Sequence, residues 1–245
     1  MENFFKDRTV VITGGAEGIG LDIAKKFLKK GAKMTVLLDI NKTRGNEAVK
    51  SLTSYYENKA IFIKCDVTKD LEEVFDEITS KYTVDVLVNS AGIADEKVPK
   101  LMINLNLTAA IDWSFKFWNY MKENGIPGTV INISSVFGLR ISPVCPVYHA
   151  SKFGLTAFSR SLGHEYRYEK HGVRVITLCP GFTETNMTSA VLKNDDRKSD
   201  YLNMIRSHEW QTVGVVGDAA VDVFEMADSG TVWVIEGGKL KEEFF

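Results

Sequence analysis

Six times along the chain a short apolar, β-branched run gives way to a longer amphipathic stretch. The runs are TVVITG (9–14), MTVLLD (34–39), AIFIKCD (60–66), VDVLVNSAG (84–92), TVINISS (129–135) and VRVITLCPG (173–181), and WVIEGG (233–238) closes the series. The stretches between them carry helical periodicity, over 18–30, 41–57, 69–81, 104–123 and 147–170, with a polar segment and a helix after the sixth run. Runs such as VVIT and VLVN are apolar at successive positions, which suits strands buried on both faces. About seven parallel strands with helices on both faces are therefore expected. Right-handed crossovers make this a doubly wound Rossmann-type α/β fold. No Pro, Gly or Ser-rich linker interrupts the 245 residues, so residues 1–245 read as one domain.

Composition narrows the ligand class. Hydrophobic residues make up 44% and charged residues 25%, as in an ordinary globular chain with room for a large core. Thirty basic against thirty-two acidic residues, with no Lys/Arg run, argue for a small-molecule ligand and against nucleic acid. Cys65, Cys145 and Cys179 lie far apart without a CxxC pair or zinc spacing, so no metal site is expected and a reducing compartment fits. The opening MENFFKDRTV is charged where a secretory signal needs an apolar stretch, and no run is long enough to span a membrane. A cytoplasmic location is expected. The tail KLKEEFF reads as a frayed terminus.

Residues 183–213 break the strand–helix rhythm with a strongly polar centre, KNDDRKSD. The segment reads as a substrate lid, against the alternative of a solvated surface insertion.

Thr13-Gly14-Gly15-Ala16-Glu17-Gly18-Ile19-Gly20 joins the first run to the first helix. Without Cβ atoms at Gly14, Gly18 and Gly20 the turn is tight, and the free N–H groups and positive dipole end of the helix face an incoming diphosphate. Such a turn alone also serves packing. Asp39, 19 residues after Gly20 at the end of the second run, gives it meaning. Its carboxylate suits the adenosine ribose hydroxyls and repels a 2′-phosphate, and Glu17, Ile40 and Asn41 supply no basic residue, so NAD is favoured over NADP.

Ser135 ends the fifth run, and Tyr148 and Lys152 stand four residues apart on the helix that follows. That spacing puts both on one helical face, where an ammonium near the phenol would lower a pKa that is ordinarily about 10. The phenolate could then take the proton of an alcohol whose oxygen Ser135 holds. A lone YxxxK also arises on amphipathic helices; the order of glycine turn, acidic strand end, serine and Tyr/Lys pair gives this one its weight.

Taken together, these motifs resemble the short-chain dehydrogenase/reductase family over essentially the whole chain. TGGAEGIG is similar to its cofactor turn, and Asp66-Val67 to its adenine-contacting pair. Asn89-Ser90-Ala91-Gly92 resembles its NNAG element, with Ser90 in place of the second Asn. Asn106, preferred over Asn104, matches the asparagine that kinks a helix and holds a water linking the lysine to solvent. The resemblance thus implies a catalytic set of Asn106, Ser135, Tyr148 and Lys152, with a proton path from Tyr148 through a ribose hydroxyl to Lys152. Pro180-Gly181-Phe182-Thr183-Glu184-Thr185 resembles the element whose backbone near Thr183 meets the nicotinamide carboxamide while Thr185 reaches the diphosphate. PVYHASKFG, HGVRVITLCPGF and GTVWVIEGG are most similar to insect alcohol dehydrogenases and NAD-dependent 15-hydroxyprostaglandin dehydrogenases. Oxidation of a lipophilic secondary alcohol by NAD is implied, with apolar lid residues Phe182, Met187, Val191, Leu192, Met204, Ile205 and Trp210 beside Ile93, Val144 and Cys145. A homodimer or homotetramer is implied as well, paired through 104–123 and 147–170. The alternatives are a catalytically silent NAD(H)-binding scaffold or sensor, and a Rossmann-like methyltransferase, which would have no use for Ser135, Tyr148 and Lys152 together.

Overall fold

The computed structural model describes residues 4–189, 199 and 208–245. The strands are β1 (Thr9–Thr13), β2 (Met34–Asp39), β3 (Ala60–Lys64), β4 (Val86–Asn89), β5 (Thr129–Ile133), β6 (Arg174–Pro180), β7 (Val232–Glu236) and β8 (Lys239–Glu243). The helices are α1 (Gly18–Lys30), α2 (Lys42–Thr53), α3 (Leu71–Thr79), α4 (Pro99–Ile103), α5 (Ala110–Glu123), α6 (Pro146–Leu162), α7 (Glu165–His171) and α8 (Val213–Met226). One sheet runs β3-β2-β1-β4-β5-β6-β7-β8 and is parallel from β3 through β7, so its order reverses between β1 and β4.

Both faces are covered, as the unbroken apolar runs require. Val10, Ile12, Val88 and Ile131 pack with Ile23 and Phe27 of α1 and Phe224 of α8. Their neighbours Val11, Leu87 and Val130 face the other way, against Ile78 of α3 and Trp113, Phe117 and Met121 of α5. Each such side chain, fully withdrawn from water, contributes roughly 1.5–3 kcal/mol.

The tail corrects one expectation. Instead of fraying, Lys239–Glu243 forms β8, antiparallel to β7. Gly237 and Gly238, at φ 54 and 75, make the two-residue turn that such a hairpin needs. Leu240 packs on the core while Lys and Glu line the open edge, a composition that discourages further strand addition.

The helix expected over 104–123 is interrupted around Asn106, the residue to which the resemblance assigned a kink: α4 leads into a π-helical segment, Asn104–Ala109, before α5 resumes α-geometry. The stretch 147–170 divides at Gly163, where a Cβ would lie 2.7 Å from Val175 O and from Gly230 N. The proposed lid is tied at its neck: Gln211 N–H donates to Phe182 O and Glu184 N–H to Gln211 O, each at 2.9 Å. The Gln211 side chain donates to Ile235 O of β7 at 2.8 Å. Its apolar residues Val191, Leu192, Met204 and Ile205, and nearly all of KNDDRKSD, lie outside the described residues.

Candidate active site

The carboxyl ends of the strands open into a cleft of about 1050 Å³ at the reversal of strand order, where doubly wound sheets bind ligands. Among its lining are Gly14, Gly18, Ile19, Gly20, Asp39, Asp66, Val67, Ala91, Gly92, Ser135, Tyr148, Lys152, Pro180, Gly181, Thr183 and Thr185. Asn89 and Asn106 stand behind it.

The glycine turn divides its work. Gly14 and Gly18 have φ of 64 and 59, a region that L side chains rarely adopt. A Cβ on Gly14 would fall 2.8 Å from Ala91 Cα, and one on Gly20 only 2.3 Å from Gly14 O, so these two glycines close the turn on itself. Around Gly18 only Thr185 Cγ2, at 3.9 Å, approaches, leaving the backbone open to the cleft. Glu17 precedes α1 without a side-chain cap, so the first N–H groups of the helix remain available to a diphosphate. At the far end of the cleft, the Asp39 oxygens accept the N–H groups of Asn41 (2.9 Å) and Ala16 (3.3 Å). An ionised carboxylate has further acceptor capacity for ribose hydroxyls. The residues present thus fit a dinucleotide with a free adenosine ribose.

Glu17, Ile40 and Asn41 are indeed without a basic side chain, but no sequence signal marked the partner that Glu17 finds in Arg44. Standing in the first turn of α2, Arg44 ion-pairs with Glu17, which also accepts a 2.7 Å hydrogen bond from Asn186. Asp66 serves the loop after β3: Thr68 donates to it from N–H (3.1 Å) and Oγ1 (2.6 Å), which together with Lys69 holds its carboxyl below the usual range. Val67 O accepts the buried indole N–H of Trp113 at 2.9 Å.

Asn89 serves the sheet rather than the surface of the cleft. Its amide donates to Asn132 Oδ1 (2.8 Å), Ser114 Oγ (2.9 Å) and Ala110 O (3.3 Å), so it belongs to a buried polar network joining β4, β5 and α5 rather than to the cleft. The following turn is held instead by Thr13, whose hydroxyl accepts the N–H groups of Ser90 and Ala91. Thr13 opens the glycine motif in the sequence, but nothing in its spacing pointed to these partners.

At the other end Ser135, Tyr148 and Lys152 meet. Ser135 caps a single 3₁₀ turn, its Oγ accepting Phe137 N–H at 3.1 Å, and its side chain lies near enough to Tyr148 to favour the phenolate. Lys152 Nζ donates to Ile133 O at 2.9 Å and lies 5.7 Å from the centre of the Tyr148 ring. Among the protein's own groups, burial outweighs charge pairing. It pushes the phenol up to about 12 although Ser135 opposes it, and pushes the ammonium down to about 8. The expected lowering of the phenol by Lys152 is therefore not met by these two side chains alone.

Of the two asparagines, Asn106 is buried and Asn104 exposed. Asn106 Oδ1 accepts Ile93 N–H (2.9 Å), and its amide donates to Ile93 O (2.8 Å) and Ser151 Oγ (3.3 Å). A Cβ on Gly92 would come 3.2 Å from Asn106 Oδ1 and 3.8 Å from Lys152 Nζ, so this glycine keeps the space between them clear. The cleft wall beyond is aromatic, with Phe137 against Tyr148 (6.4 Å between centroids) and Phe182 (5.6 Å), and Phe182 against Trp210 (5.6 Å). His149, unremarked in the sequence, positions Phe137: Nδ1 pairs with Phe137 O and Nε2 with Ser142 N–H, each at 2.9 Å.

The short chain dehydrogenase family profile matches residues 8–196. An alcohol dehydrogenase 1 of Ceratitis cosyra is 32% identical over 241 residues, spanning 95% of this chain and 93% of the relative. A 15-hydroxyprostaglandin dehydrogenase (NAD+) of Rattus norvegicus is 35% identical over 195 residues, spanning 77% of this chain and 73% of the relative. Levodione reductase superposes with a TM-score of 0.84 at 22% identity, covering 96% of this chain and 98% of the other. An actinorhodin polyketide ketoreductase with NADPH gives 0.83 at 22% identity, covering 95% and 97%. At such identities the solved structures speak for the fold, while the profile and the more similar relatives speak for descent. On both grounds, the chain belongs to the short-chain dehydrogenase family.

Proposed function

We propose that this oxidoreductase oxidises a lipophilic secondary alcohol to a ketone with NAD, Tyr148 acting as general base. The observation that carries the proposal is the meeting of Ser135, Tyr148 and Lys152 beneath an aromatic wall, in one cleft with the glycine turn and Asp39. Ser135 and Tyr148 would hold the alcohol oxygen between two hydroxyls, and Tyr148 would take its proton. Lys152 favours the phenolate electrostatically, and Asn106 keeps the loop beside it in place. Bound NAD supplies the hydride acceptor and a cationic ring whose field adds to that of Lys152. Its preference over NADP rests on Asp39, and the relative from Rattus norvegicus carries NAD+ in its name.

The lipophilic substrate rests on Phe137, Phe182, Trp210, Ile93 and Leu101, which line the cleft away from the glycine turn. Exposed Phe115 and Phe153 on α5 and α6 support a homodimer or homotetramer. The buried thiols of Cys65, Cys145 and Cys179, outside any disulfide among the described residues, suit a reducing compartment such as the cytosol. The test is a panel of secondary alcohols with NAD, read by NADH absorbance. Tyr148→Phe should lose nearly all turnover while still binding NADH; retained turnover would overturn the assignment.

A further inference from the structure

We propose that Glu96 is a positioning residue for the reaction, its carboxylate fixing the first turn of α6 and with it the place of Tyr148 in the cleft. The proposal rests on the reading of Tyr148 as the base.

Helix α6 begins with Pro146, which has no N–H, so the first amides in need of an acceptor are those of Val147 and Tyr148. Cys145, at the cap position, gives them no side-chain partner. The acceptor comes from about fifty residues upstream: Glu96 Oε2 accepts Val147 N–H at 3.1 Å and Glu96 Oε1 accepts Tyr148 N–H at 2.9 Å. Both bonds are charge-assisted, and the carboxylate sits at the positive end of the helix dipole.

These bonds close a ring. Tyr148 O accepts Ser151 Oγ at 2.7 Å, and Ser151 Oγ accepts the Asn106 amide at 3.3 Å. Asn106 in turn holds both backbone groups of Ile93, three residues before Glu96 in the same loop. The N–H and the C=O of Tyr148 are thus tied to opposite ends of one short loop, by Glu96 and by Asn106. Between exposed Asp95 and Lys97, Glu96 is the half-buried member that turns inward. Losing it frees one end of the ring at the residue whose hydroxyl must meet the alcohol.

An ordinary helix cap would contribute stability alone. Positioning predicts more, because a misplacement of about 1 Å at a reacting group costs up to ~100-fold in rate. The experiment compares wild type, Glu96→Ala and Glu96→Gln, each with NAD and the best secondary alcohol of the panel. For Glu96→Ala, kcat should fall roughly 10- to 100-fold while the Kd for NADH stays within about two-fold. Hydrogen exchange at the Val147 and Tyr148 amides should accelerate at least about ten-fold as their acceptor is lost. Glu96→Gln, which keeps a neutral acceptor oxygen, should recover part of both and remains informative if the Ala variant folds poorly. The proposal is overturned by wild-type kcat despite faster exchange, or by a loss of kcat that tracks NADH affinity and global melting. If Tyr148→Phe keeps its turnover, the base assignment fails by itself, whereas the exchange rates still report whether Glu96 holds the helix.

Discussion

Replacing Lys152 with Met should raise stability at neutral pH while abolishing turnover. Lys152 is 6% exposed, and burial brings its ammonium down to about 8 from the ordinary 10.5. At 1.36 kcal/mol per pKa unit, keeping this lysine charged costs the folded state about 3 kcal/mol at pH 7. Met fills a similar volume without charge, but forfeits the hydrogen bond to Ile133 O, worth about 1 kcal/mol. The net gain of about 2 kcal/mol corresponds to roughly 4–8 °C in Tm for a chain of this size. The sign also fixes a pH dependence. A depressed lysine contributes stability that is present above 10.5 and lost as the pH falls through about 8. The advantage of the Met variant should therefore be largest below about pH 8 and shrink towards pH 10. Tyr148, whose raised pKa contributes stability that is constant below 10 and lost towards about 12, titrates above the range compared. Scanning calorimetry across this range, with an activity assay alongside, makes the comparison. A Met variant that melts below wild type at neutral pH, or whose advantage stays constant up to pH 10, would refute the reasoning.

Gly20→Ala should weaken NADH binding at least about ten-fold and lower the Tm, because its Cβ would lie 2.3 Å from Gly14 O with only backbone to give way; overpacking of this kind costs about 1–3 kcal/mol. Fluorescence titration with NADH checks it. Asp39→Ser should lower kcat/KM with NAD about 10- to 100-fold, from the loss of charge-assisted bonds, and raise it with NADP as the repulsion of a 2′-phosphate disappears. Steady-state assays with both cofactors decide, and an unchanged ratio between them would remove Asp39 from cofactor selection.

Seven strands, the glycine turn and the Tyr148/Lys152 pair were legible because each is written in local spacing: apolar runs, left-handed glycines, one turn of helix. What escaped depends on partners far along the chain. Lys239–Glu243 has the charge pattern of a tail and becomes a strand only because Gly237-Gly238 returns it to β7. Asn89 sits between cofactor-like neighbours in sequence, yet β4 turns its side chain towards Asn132. Arg44 meets Glu17 through the packing of α2 beside the glycine turn, and Glu96 meets α6 through a loop. The kink at Asn106 was implied by the family resemblance, but its partners Ile93 and Ser151 lie far from INLNLTAA along the chain and were not. The direction of the Tyr148 shift was missed for a related reason. Spacing revealed the neighbouring charge but not the partial burial of the phenol, which is the larger effect.

That burial raises the question of what keeps α6 at the right height along the sheet. Tyr148, Lys152, Thr156 and Ser159 recur at helical spacing, so they form a polar stripe running from the cleft into the interior. Nearly every step is matched by β5 or the residues just after it. Lys152 Nζ bonds to Ile133 O, the Lys152 carbonyl and Thr156 Oγ1 to Ser134 Oγ, and Ser159 Oγ to Asn132 Nδ2, with Tyr148 beside Ser135 at the upper end. A purely apolar interface would tolerate a small slide, since dispersion contacts have little direction. Hydrogen bonds at fixed intervals do not, because a slip would leave several buried polar groups unpaired at about 1–3 kcal/mol each. The stripe therefore sets the register of the helix on the strand, and the loop carrying Glu96 sets its upper end. Catalytic geometry in this chain is a consequence of how α6 is indexed on β5, which is why the buried lysine can be destabilising and still be held in place.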